Sequence, residues 1–124
     1  MNIIIDTHIY LWAISNPENL KNHQRSELET LTNTIYLSAI SVAELMIKSS
    51  IGKLEITFDP VAIADETGFQ TLSFSTEDAL LLKEMPFHHK DPFDRMLIAQ
   101  ALSNNYAIMT DDSKFSFYDC KLAA

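Results

Sequence analysis

Apolar positions along the chain alternate between two characters. Short apolar or β-branched runs cover Asn2–Ile5 and residues 35–38, 70–74 and 107–110, each bounded by turn-forming or acidic residues. Their length and their Ile and Thr content predict buried strands, with a candidate fifth near 119–122. Between them lie segments with helical spacing: 8–14, 22–31, 41–51, 59–66, 76–85 and 91–104. Leu28 and Leu31 fall at helical spacing in the second. Val42, Leu45 and Met46 form a stripe in the third, and Ile98, Ala101 and Leu102 share a face in the last. Gly52 stops the third segment and Pro86 closes the fifth. Asp59-Pro60 and Asp91-Pro92 each pair a cap with proline at the first helical position.

Strands alternating with helices predict an α/β domain spanning residues 1–124, with a mostly parallel sheet covered on both faces. Such sheets carry their functional groups beyond the carboxyl ends of the strands. There the chain places acids. Asp6 follows the first strand, and Asp111 and Asp112 follow the strand at 107–110. A single aspartate after a strand is usually a turn former or a helix cap. Asp94 is the third residue of the helix begun by Asp91-Pro92, where a carboxylate suits the positive helix end. It also precedes Ile98 by four residues and Ala101 by seven, which puts it on the inward stripe. Glu44 admits two readings. It can pair with Lys48 one turn on. Or, flanked by Val42, Ala43, Leu45, Met46 and Ile47 on a helix apolar nearly all round, it is buried and needs a partner.

At 124 residues, 47% hydrophobic and 21% charged, the chain can bury a core without disulfides. Cys120 has no internal partner and no zinc-ligand spacing around it; it reads as a small packing residue, compatible with a reducing compartment. The start, Met1-Asn2-Ile3-Ile4-Ile5-Asp6, lacks the basic opening and the ~7–15 apolar residues of a secretory signal. The stretch 9–14 is too short to span a bilayer. A soluble, cytoplasmic protein without membrane contact is expected. The formal net charge of −8 argues against a general polyanion binder, since phosphate contacts need Lys and Arg. It leaves room for a nuclease, because a bound cation inverts the local charge.

Carboxylate oxygens are hard ligands that suit Mg²⁺ or Mn²⁺. Crowded together they repel one another without a cation. With a cation, such a cluster can hydrolyse a phosphodiester using activated water and no protein nucleophile. The chain has no Gly-x-Ser-x-Gly elbow, phosphate loop or Rossmann glycine pattern.

Five pieces, in this order, resemble the PIN-domain ribonucleases, and within them the toxins of VapBC-type bacterial toxin–antitoxin pairs. They are Ile3-Ile4-Ile5-Asp6-Thr7-His8, Ser38-Ala39-Ile40-Ser41-Val42-Ala43-Glu44-Leu45, Gly52-Lys53-Leu54, the run from His88 to Ala101 around Asp91-Pro92-Phe93-Asp94-Arg95, and Ile108-Met109-Thr110-Asp111-Asp112. The resemblance implies a three-layer α/β/α sandwich with a four- to five-stranded sheet. It implies a catalytic metal site of Asp6, Glu44, Asp94 and Asp112 that holds Mg²⁺ or Mn²⁺. The acid two residues after the threonine selects Asp112 over Asp111, with Thr110 orienting it. Relatives often carry Trp before the glutamate; Ala43 stands here, so the packing around Glu44 differs. The activity implied is endoribonuclease cleavage of RNA, with tRNA and ribosomal RNA as candidates. A homodimer and a cognate antitoxin are implied as well; a basic antitoxin tail could place Arg among the carboxylates.

Four further residues each admit a functional and a structural reading. Arg95 reads as a brace for Asp91 through an ion pair, ahead of a phosphate contact. His88 and His89 read as loop residues near the site mouth, touching substrate, because hard oxygen sites rarely recruit imidazole. Trp12 reads as core or dimer face ahead of a base-stacking platform. A receiver-type Mg²⁺-binding signalling module is the alternative from another class, although the single acid after the first strand fits it poorly. A catalytically silent PIN fold acting as a binding module is a third. A dehalogenase-type phosphatase fails because Asp6-Thr7-His8 lacks a second aspartate.

Overall fold

The computed structural model describes residues 1–123. In chain order the elements are β1 (Asn2–Ile5), α1 (Thr7–Ser15), α2 (Asn22–Glu29), β2 (Thr34–Ser38), α3 (Ala39–Ser50), α4 (Pro60–Thr67), β3 (Gln70–Leu72), α5 (Thr76–Leu80), α6 (Pro92–Asn104), β4 (Ala107–Met109) and β5 (Lys121–Leu122). Short 3₁₀ turns cover Pro17–Asn19, Leu81–Lys83 and Ser113–Phe117.

All five strands are parallel, in the order β3-β2-β1-β4-β5. The central strand β1 explains the layering. Ile3, Ile4 and Ile5 are all fully buried, and successive side chains must point to opposite faces. Ile3 and Ile5 enter one core with Leu37, Met109, Ile9, Tyr10, Leu45 and Ala64. Ile4 enters the other with Ile108, Leu97, Ile98, Ala101 and Phe115. The register Ile5↔Leu37 and Ile5↔Met109 lines these faces up across three strands. Helices therefore cover both faces, a three-layer α/β/α sandwich. The order also separates the fold from receiver-type modules, whose sheets run 2-1-3-4-5.

Local chemistry sets most element ends. Ser38 starts α3 two residues earlier than the apolar stripe suggests, because its hydroxyl accepts from Ile40 N–H at 3.0 Å. Asp59 and Asp91 cap α4 and α6, with Pro at the next position. Gly68, at φ 92°, ends α4 in the left-handed conformation that costs an L side chain most. Asn105 does the same for α6 at φ 57°. Three expectations change. The strand expected to reach residue 74 ends at Leu72, because Ser75 and Asp78 cap each other's backbone and open α5. The helix expected through residue 85 gives way to a 3₁₀ turn after Leu80. Leu31, read as part of an apolar stripe, lies beyond α2 and is fully exposed. No helix among the described residues is long and apolar enough to cross a membrane.

Candidate metal centre

In the order 3-2-1-4-5 the chain reverses direction across the sheet between β1 and β4, and ligand crevices open at such points beyond the carboxyl ends of the strands. Asp6 leaves β1 there, its N–H donating to Met109 O of β4 at 3.0 Å. Asp6 caps α1: its Oδ1 accepts from Ile9 N–H at 2.8 Å. Its Oδ2 accepts from the Thr110 hydroxyl at 2.6 Å. The same Thr110 oxygen accepts from Asp112 N–H at 3.0 Å. Thr110 thus ties the two strand ends together and orients both acids. Asp6 is only 5% exposed. Burial raises its pKa, the two hydrogen bonds work against that rise, and Asp112 adds to it.

Asp94 sits in the first turn of α6, held by the cap: Asp91 Oδ1 accepts from Phe93 N–H at 2.8 Å and from Asp94 N–H at 3.2 Å. Its carboxyl is pushed up to about 6, first by burial and then by Asp91, with Asp6 and Glu44 contributing; His89 acts in the opposite sense. Asp94, Asp6 and Glu44, three of the four expected acids, therefore feel one another, and Asp112 joins them through Asp6. Asp112 also caps the 3₁₀ turn that follows it, Oδ1 accepting from Lys114 N–H at 2.9 Å.

His89 stands between Asp94 and Asp112. Its Nε2 lies 2.8 Å from Asp94 Oδ2 and 3.3 Å from Asp112 Oδ2. One ligand atom from each of these three residues lies within 4.8 Å of the others. The hydrogen bonds decide what the imidazole does. Its Nδ1 accepts from Asp91 N–H at 3.3 Å, so in the neutral ring the proton sits on Nε2. Nε2 then donates to the carboxylates and has no lone pair for a cation. The ring packs edge-on against Phe115 at 6.2 Å. The expectation of a loop residue at the mouth is corrected: His89 is 9% exposed and inside the cluster. No single-sequence signal separates it from His88.

Glu44 is also buried, at 5% exposed, and both readings of it hold at once. Oε2 accepts from Lys48 Nζ at 2.6 Å. Oε1 accepts from the Thr7 hydroxyl at 2.7 Å, and that hydroxyl lies 3.0 Å from Ser41 Oγ. The support from Thr7 and Ser41 was not foreseen; small hydroxyls in the first turns of α1 and α3 carry no distinct pattern. The Lys48 ammonium is held above its usual range by Glu44 first, with smaller effects from Asp91 and Asp94. It therefore faces the carboxylates.

The remaining candidates are held by partners outside the group of His89, Asp94 and Asp112. Asp111 pairs with Lys21 at 2.8 Å, which holds it below the usual carboxylate range. His88 packs on Tyr118 and Phe117, with ring centroids 5.2 and 6.0 Å away. Arg95 does not brace Asp91, whose carboxylate is occupied by the α6 cap. Its guanidinium instead donates to Pro86 O at 2.9 Å, to Tyr118 Oη at 3.3 Å and to Leu82 O at 3.4 Å, and stacks over Phe87 at 4.9 Å. Its role is to pin the loop before α6.

A parallel α/β/α sandwich with acids gathered at the β1/β4 edge is the architecture of a known nuclease class. The PIN domain profile matches residues 3–119, and the chain belongs to the PIN domain family. Among solved structures it is similar to a chain of VapBC2 from Rickettsia felis bound to a promoter DNA fragment, at 21% identity and TM-score 0.75, covering 98% of this chain and 96% of that one. It is similar to a chain of DNA-bound VapBC from Salmonella typhimurium at 17% identity and TM-score 0.71, with the same coverage. FitAcB from Neisseria gonorrhoeae matches at 18% identity and TM-score 0.66, again over 98% and 96%. At these identities the likeness is one of fold. No curated protein matches the chain.

Proposed function

We propose that this chain is a Mg²⁺- or Mn²⁺-dependent endoribonuclease acting as the toxin of a toxin–antitoxin pair, with one nuclease domain over residues 1–124. The observation that carries the reading is geometric: Asp94 and Asp112 bring carboxylate oxygens within 4.8 Å of each other, and Thr110 ties Asp112 to Asp6 at the strand ends. Buried and half-buried carboxylates that repel one another, and offer only hard oxygens, fit a divalent cation. Asp94 and Asp112 would hold it, with Asp6 and Glu44 completing the acidic wall. When bound, the cation supplies an acidified water and neutralises charge on the scissile phosphate. The chain's own residues do the rest. Thr110 fixes Asp6 and Asp112, Asp91 fixes Asp94 through the α6 cap, and the His89 Nε2–H orients the facing carboxylate oxygens. Thr7 and Lys48 hold Glu44.

Toxin–antitoxin complexes among the fold neighbours support an antitoxin partner for this chain, and a homodimer fits the same reading. The substrate would be cellular RNA, tRNA or ribosomal RNA, in the cytoplasm. The retained acids speak against a silent binding module. The purified chain, free of antitoxin, is expected to cut RNA with Mn²⁺ and to stop with EDTA. Cleavage that survives both EDTA and Asp94→Asn would overturn the proposal.

A further inference from the structure

Beside the carboxylates lies a cleft of about 270 Å³ lined by Asp6, His8, Trp12, Asp111 and Asp112. His8 and Trp12 stand one turn apart on α1, with ring centroids 6.3 Å apart and planes tilted by 44°. His8 is exposed, and Trp12 is half-buried. Trp12 packs against the core, yet part of it forms the cleft wall. The core or dimer-face reading accounts for its packing and leaves that wall unexplained.

We propose that this cleft is a subsite for one unpaired nucleobase of the RNA, stacked on Trp12 and read by Asp111. The inference rests on the ribonuclease reading. Its size is below the roughly 300–1,000 Å³ of pockets for drug-sized molecules, so it suits a single base. An indole offers a sequence-tolerant stacking face. Phosphate is disfavoured here, because the lining holds no lysine or arginine to contact it. Asp111 is offset by Lys21, at 2.8 Å, so it can face a neutral base as an acceptor. Carboxylates accept from the exocyclic amino group of cytosine. Uracil carries a carbonyl at that position, so the subsite prefers cytosine to uracil.

Trp12 is the only tryptophan of the chain, so its fluorescence reports this cleft alone. The test titrates the Asp94→Asn chain, in Mg²⁺, with tetracytidylate and with tetrauridylate. Tetracytidylate is expected to quench the emission and to bind severalfold more tightly than tetrauridylate. Asp111→Asn should bring the two within about twofold, since an amide can accept from the cytosine amino group and donate to the uracil carbonyl alike. Trp12→Leu, which keeps apolar bulk against the core, should weaken binding of labelled tetracytidylate at least ~fivefold. Cleavage of RNA by the wild-type chain with Mn²⁺ is scored in parallel. Quenching without cleavage supports the subsite and sinks the nuclease. Cleavage without quenching, with Trp12→Leu binding as tightly as its parent, overturns the subsite and leaves the nuclease standing.

Discussion

Glu44 on α3 and Asp94 on α6 are both drawn into the same acidic group, yet they are held in opposite ways. Glu44 has each oxygen satisfied within its own side of the site, by Thr7 at 2.7 Å and by the Lys48 ammonium at 2.6 Å. Asp94 has no lysine or arginine partner. It faces Asp91, Asp6 and Glu44, and the main group working against that repulsion is His89, with a smaller pull from Lys48. One side of the centre is neutralised by the protein itself. The other side is left with excess negative charge, and a cation gains most by binding there. The two halves should therefore respond differently to mutation, to metal and to pH.

The largest effect is expected at Asp94. Asp94→Asn keeps the shape and the α6 cap, which Asp91 provides, but removes the charge. RNA cleavage should fall by more than ~100-fold, beyond the 10–100-fold typical of groups that merely support a metal ligand. The folded chain should lose no stability when metal-free, because a repelled charge has gone. Thermal melts in EDTA beside cleavage assays in Mn²⁺ check both halves of this statement. A melt lowered along with activity would mean that Asp94 is structural.

Next comes His89. With Nδ1 accepting from Asp91 N–H, its Nε2–H aims Asp94 and Asp112 without binding a cation. His89→Ala should weaken Mn²⁺ binding about 10- to 100-fold, read by calorimetry. His89→Gln, which can still donate from its side chain, should recover part of that loss. If the imidazole were instead a ligand, Gln would recover nothing, and the preference between Mn²⁺ and Mg²⁺ would shift toward Mg²⁺ on its removal.

The contrast between the two sides also shows what could be read from the sequence. The β1 run with Asp6 at its end, the Asp-Pro starts of α4 and α6, and the parallel α/β alternation follow from local rules, and the structure keeps them. Asp94 was readable because cap and stripe agree on its position. Glu44 was not, since an i,i+4 partner and a buried acid give the same spacing; only the fold shows Lys48 and Thr7 sharing it. His88 and His89 are adjacent and chemically identical, so which enters the cluster depends on how the loop meets Phe115 and Tyr118, a long-range fact. Arg95 misled for a related reason. Asp91 lies one turn before it, just ahead of α6, but its carboxylate is already spent on the helix cap.

Lys48 tests the neutralised side. Lys48→Met keeps the aliphatic stem and removes the ammonium. Glu44 would then be a buried carboxylate held by one hydroxyl, at a cost of ~1–2 kcal/mol, less than for a fully buried pair because Lys48 is 36% exposed. A Mg²⁺ titration should restore part of that loss, because a cation replaces the missing charge. A variant as stable as wild type in EDTA would show that the pair is a surface pair only.

The smallest effect is the most discriminating, because its sign is fixed by the unneutralised side. The Asp94 carboxyl is raised from an ordinary 3.8 to about 6 in the folded chain, and Asp6 is raised in the same direction by burial. Between those values the folded state binds more protons than the unfolded state, so stability falls as pH rises. In EDTA the chain should be most stable near pH 4 and lose stability up to about pH 6, then level off. The size is on the order of 1 kcal/mol, discounted because a fifth of the Asp94 side chain is exposed. Asp111 has the opposite sign, its carboxyl being lowered by Lys21, but its contribution is lost only as pH falls below the ordinary carboxylate range. Lys48, held above its usual range, loses its contribution only at alkaline pH. Neither masks the slope between 4 and 6. Asp94→Asn should flatten it, and saturating Mg²⁺ should reverse it, since a cation binds the deprotonated acids and stabilises the fold as they ionise. A metal-free melting temperature that climbs from pH 4 to 6 would mean that the α6 side is compensated like the α3 side, and the distinction between the two would fall.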